Sequence, residues 1–175
     1  MSKFPHKTPR HFVNISKQKI GQLTEINHSY GPHFENLENA IDRLTQEIST
    51  QKGKLSGFLK EQEKISQNYG KIVIEQERFE NNRASIMSDS CTGAERYLAL
   101  AALGMSPFDC YYSNSRSLQD QIDTTNKKLN ELNSHFAFWK NQRLKAVSEL
   151  KILNSIIDEK RKELEVDHQF TLSSN

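Results

Sequence analysis

The chain has 175 residues, of which 35% are hydrophobic, against roughly 45–50% in an average globular domain. Its 24 Lys and Arg against 22 Asp and Glu leave a formal charge of only +2, so no global field draws it to nucleic acid or to an acidic membrane. No run of some 18 uncharged apolar residues occurs and the first residues lack the apolar core of a secretory signal. The expectation is therefore a cytoplasmic protein without a transmembrane segment, or one delivered to another cell's cytosol.

Residues 1–31 read as a basic arm. Lys3, Lys7, Arg10, Lys17 and Lys19 precede the first acid, Glu25, and Pro5 and Pro9 interrupt any early helix. With Asn14 or Ser16 as N-cap, Ile20, Leu23 and Ile26 predict a short helix ending near Asn27. Phe4, His6, His11 and Phe12 offer stacking groups, which makes nucleic acid or a membrane surface an alternative partner of this arm. Dispersed charges in a proline-bearing terminus are more often a solvated tail, so nucleic acid is not the expected ligand.

Gly31-Pro32 is expected to open a long helix over 32–86, proline suiting a first turn where its missing N–H is not needed. From Phe34 onward apolar residues recur at three and four. One series is Phe34, Ile41, Ile48, Leu55, Gln62, Tyr69, Gln76, Arg83; the other is Leu37, Leu44, Gln51, Phe58, Ile65, Ile72, Phe79, Ile86. A sustained 3.5-residue repeat marks a seam that faces another helix. Gly53, Gly57 and Gly70 each cost about 1 kcal/mol relative to Ala in a helix interior, and the first two mark the stretch from Lys52 to Phe58 for a bend or for a close approach of another backbone.

Residues 87–117 read as a connector. Thr92-Gly-Ala-Glu95 is a capping-box signature, Tyr97 to Leu103 an apolar helix and Gly104 its C-cap. Met105 to Asn114 is expected to be a loop rich in aromatics. A second array occupies 118–166, with Leu118, Thr125, Leu132, Trp139, Ala146, Leu153, Lys160 in one series and Ile122, Leu129, Phe136, Arg143, Leu150, Ile157, Leu164 in the other. Residues 167–175 read as a flexible tail that frays.

Two seams of about 80 and 70 Å, at 1.5 Å per residue, predict an all-α fold: a long antiparallel hairpin of coiled-coil type, with a short N-terminal helix and a connector helix at its tip. The expected seam residues include Ile41, Leu44, Ile48, Phe58, Ile65, Tyr69, Ile72, Phe79, Leu129, Leu132, Phe136, Trp139, Leu150, Leu153 and Ile157. Pairing leaves Thr125 opposite either Gln76 or Arg83. Leu59, Val73, Val147 and Ile156 widen the stripe beyond one partner helix, so a further cover is expected: the N-terminal helix, the connector helix or a second copy of the chain.

No chemistry emerges. The six histidines form no HExxH, Cys91 and Cys110 lie nineteen apart rather than in a CxxC pair, and neither a phosphate-binding glycine loop nor GxSxG occurs. The chain reads as a non-enzyme, with no catalytic, cofactor-binding or metal-ligating set. In outline the hairpin looks like the stalk and escort proteins of bacterial secretion machines, which makes a secretion component or translocated effector one alternative. The first expectation is a scaffold or adaptor whose protein partner, or second copy, docks on Tyr97, Leu100, Leu103, Phe108, Tyr111 and Tyr112.

Overall fold

The computed structural model describes residues 18–173, with side chains as far as Val166. The stacking residues of the basic arm and the expected N-caps Asn14 and Ser16 lie outside them. Four helices account for 93% of the described chain: α1 (Ile20–Gln67), α2 (Tyr69–Ser88), α3 (Gly93–Leu103) and α4 (Pro107–Ser173). Among the described residues there is no strand, and the long helices α1 and α4 pack against each other as a helical hairpin. Among the described residues no helix is long and apolar enough to cross a membrane.

Several element boundaries differ from the sequence expectation. The short N-terminal helix is not separate, because α1 runs unbroken through Gly31 and Pro32. Pro32 removes one backbone bond, worth about 3 kcal/mol in a helix interior, but Pro32 and His28, whose carbonyl loses its partner, are both exposed. Leu23, Tyr30, His33, Leu37 and Ala40 are buried on the other side, and that burial holds the helix across the proline. The break comes instead at Asn68, where Lys71 and Ile72 N–H both turn to the Asn68 carbonyl (3.0 and 3.2 Å). Gly53 and Gly57 lie within continuous α1, and a Cβ at either would meet nothing within 4 Å, so no other backbone approaches closely there. The tail, expected to fray from residue 167, continues as helix to Ser173.

The chain divides into two compact units, each served by a stretch of α1 and of α4. The first holds α1 up to Ile48 and α4 from Glu131. Its core alternates the two helices: Leu23, Tyr30, Leu37 and Ala40 meet Trp139, Ala146, Leu153 and Ile157, with Phe34, Ile41, Leu44 and Leu150 packed on the edge. Antiparallel pairing is recorded by Asn27 with Asn154, by the Tyr30 hydroxyl donating to Glu149 Oε2 (3.0 Å), and by Arg143 donating to Glu38 Oε1 (3.1 Å). Two of the three polar residues of the second seam, Arg143 and Lys160, find partners on α1 or just before it. Arg143 finds Glu38, and Lys160 Nζ reaches the Gln18 carbonyl at the start of α1 (3.0 Å).

The second unit spans Ser49–Asn130. Here Gln62 Nε2 donates to Gln119 Oε1 (3.0 Å), while Thr125 shares a groove with Gln51 and Phe58. Neither expected register is found, since the Gln62–Gln119 bond and this groove set Thr125 against the stretch between Gln51 and Phe58 rather than against Gln76 or Arg83. Two polar seam residues, Gln51 and Thr125, are buried beside that groove. Further along, α3 packs on α2.

Candidate functional site

The connector helix forms where its sequence says. Thr92 caps α3 with both halves of a capping box, Glu95 N–H donating to Thr92 Oγ1 and Thr92 N–H donating to Glu95 Oε2 (2.9 Å). These bonds hold the Glu95 carboxyl below its ordinary pKa, the Thr92 hydroxyl contributing most. Gly104 closes the helix at φ 73°, a left-handed conformation that suits glycine. Arg96 Nη2 donates to the Asp89 carbonyl (2.9 Å), tying α3 to the end of α2.

The aromatic stretch after it is not a loop. Ser106 is the N-cap of α4 in all but name: Asp109 N–H donates to Ser106 Oγ (3.1 Å), and Ser106 Oγ donates to Asp109 Oδ2 (2.7 Å). Pro107 occupies the first turn, and Phe108 N–H, a donor with no partner inside its own helix, is taken by Gln76 Oε1 of α2 (3.1 Å). Helical geometry then lays Phe108, Tyr111 and Tyr112 on one side, against Tyr69 at the start of α2.

These four rings form one cluster. Tyr69 stacks on Phe108 (centroids 6.3 Å apart, planes 7° apart) and touches Tyr111 at 5.3 Å, while Tyr112 meets Phe108 at 6.1 Å and Tyr111 at 5.3 Å. Tyr69 was expected in the seam; it is 41% exposed on this cluster instead. Its pKa is raised, first by the neighbouring Tyr112 phenol, then by desolvation, so at neutral pH it stays protonated. Three grooves open from the rings. The largest, about 870 Å³, runs between Leu59, Ile65 and Leu118 past Tyr111 and Tyr112; a second passes Phe79, Leu103 and Phe108; a third passes Ile72, Met105 and Tyr111.

Of the six residues expected to bind a partner, Leu100, Leu103, Phe108 and Tyr112 line one groove, Tyr111 joins them through the ring cluster, and Tyr97 stands apart. Phe108, Tyr111 and Tyr112 come together, Tyr112 remaining 57% exposed. Leu100 and Leu103 turn toward the second groove and are half-buried, whereas Tyr97 (73% exposed) and Leu98 (66%) face outward from α3. Two residues absent from the expected set belong to the site, Tyr69 and Gln76. The Ser-Pro-Phe-Asp run of a helix start was the sequence signal that could have placed them. Of the seam, Ile48, Leu129, Leu132, Trp139, Leu153 and Ile157 are buried, while Ile41, Leu44, Phe58, Ile65, Ile72, Phe79, Phe136 and Leu150 are half-buried.

Not one residue of α2 or of α3 is buried. Cys91 and Cys110 are free thiols, and among the described residues no cluster of His, Cys, Asp or Glu is arranged to hold a metal ion. No family model matches the chain, and comparison with curated proteins and with solved structures finds no match either.

Proposed function

We propose that the chain is a non-enzymatic helical scaffold that docks another protein on the α2–α3 end of its second unit. One observation carries the reading: helices bearing Ile72, Phe79, Ile86, Tyr97, Leu98, Leu100 and Leu103 contain no buried residue. Ile74, Met87, Tyr97 and Leu98 stand exposed on them while Ile72, Phe79, Ile86, Leu100 and Leu103 are only half-buried, and exposed apolar surface of this kind is characteristic of recognition sites. The ring cluster adds rigid anchors whose ordering costs little entropy, flanked by grooves able to receive a partner's side chains.

Affinity purification of the full chain from its native cells, beside the double variant Tyr97→Ser, Tyr112→Ser, tests this. Both side chains are largely exposed, so the variant keeps its helicity and melting temperature. A protein recovered with the native chain and lost with the variant supports the reading. Equal recovery with both, or nothing recovered specifically, removes this surface as the docking site.

A further inference from the structure

His33 is an unusual residue for a two-helix core. It is 8% exposed, in the first unit, among Tyr30, Phe34 and Leu37 of its own helix. Its ring lies edge-on to Tyr30 (centroids 6.4 Å apart) and at the same distance from Phe34. Its Nε2 is fully enclosed and, among the described residues, has no hydrogen-bond partner. An imidazole in such a place is tolerated neutral, because the charged form would carry a second N–H donor into a site with no acceptor for it.

The surroundings offer that charge one escape. From α4 the charged group that acts on His33 is Glu149, and from α1 the titratable neighbour is Tyr30. The Glu149 carboxylate is already engaged, accepting a hydrogen bond from the Tyr30 hydroxyl. Tyr30 is itself fully buried at the centre of the core cluster. An imidazolium at position 33 must therefore draw Glu149 toward itself, disturbing the Tyr30 bond, or move out to water, separating α1 from α4. Either movement reorders the same layer.

We propose that His33 makes the first unit a pH-sensitive latch, closed while the imidazole is neutral and released by its protonation under mildly acidic conditions. The direction of its titration agrees: burial lowers the His33 pKa below 6.5, with Glu149 partly opposing it. The sign follows from linkage. Above 6.5 neither the folded nor the released form holds the proton, and the latch has its full strength. As pH falls through 6.5 the released form takes up the proton more readily, so the closed form loses ground until the lower folded value is passed.

The molecule carries its own reporter. Trp139 is the single tryptophan of the chain and belongs to the same core cluster as Tyr30. Titrating the full chain from about pH 8 to pH 5, while following tryptophan emission and far-ultraviolet circular dichroism, should give a reversible red shift that begins below 6.5. His33→Leu should hold the emission constant over that range. Glu149→Gln, which removes the field favouring protonation, should move the midpoint to more acidic pH. A native chain with constant emission to pH 5 overturns the proposal, as does the same red shift in His33→Leu. Should His33→Leu fail to fold, the midpoint of Glu149→Gln decides alone, an unmoved midpoint counting against the latch.

Discussion

Single side chains settle most of the local geometry, and several do so through one hydrogen bond. Thr92 is the clearest case, since its hydroxyl and backbone N–H satisfy both halves of the box that starts α3. Thr92→Ala leaves Glu95 N–H without its acceptor and should destabilise by about 1 kcal/mol. α3 has no buried residue to compensate, so amide exchange in Gly93–Leu103 should accelerate more than in α1. Unchanged exchange there would mean that packing on α2, rather than the cap, holds the helix. This cap was fully readable in the sequence, because Thr92, Glu95 and Gly104 each bond to a residue three positions away. The equivalent start at Ser106 was hidden behind its proline, which suits a loop as readily as a first helical turn.

Whole helices were readable where their apolar repeat was long. The seams of α1 and α4 follow the expected positions, with Leu132, Trp139 and Leu153 buried as their spacing requires. What local signals could not convey was continuity. Pro32 and the glycines are punctuation in the sequence, yet tertiary burial overrides the proline, and the glycines of α1 leave its ladder intact. A Cβ built on Gly57 meets nothing within 4 Å, and the residue sits in regular helix. Gly57→Ala should therefore stabilise the chain by about 0.5–1 kcal/mol, mainly by narrowing the unfolded ensemble. Thermal denaturation showing a loss instead would mean that a close approach at this point has been overlooked.

For the molecule as a whole, the hairpin was legible and its register was not. A heptad repeat is satisfied equally well after a slip of seven residues, so two arrays of similar length cannot reveal their alignment. The alignment is read instead from side-chain bonds that an apolar repeat does not encode, Gln62 with Gln119 and Gln76 with the Phe108 N–H. The site was half legible for the same reason. Aromatic density marked Phe108, Tyr111 and Tyr112, while Tyr69, a member of the first heptad series, looked like any core residue. Burial is similarly concentrated, since the largest enclosed side chains, Tyr30, Leu23, Leu37 and Leu153, all belong to the first unit. Trp139→Ala, in that same core, should cost about 3–5 kcal/mol. A melting curve matching that of the native chain would contradict the packing described.

The bond from Phe108 N–H to Gln76 joins residues thirty-two positions apart. Everything between them, the last turns of α2, all of α3 and the turn after it, leaves the hairpin and returns to the same place. Such a segment is a closed excursion, and chain entropy makes its length a weak constraint: doubling a flexible loop costs only about 0.6 kcal/mol. Lengthening or shortening the segment between Gln76 and Phe108 should therefore cost the chain little, provided that the two residues still meet. The proposed docking end is in this sense the part of the chain whose length its own closure constrains least.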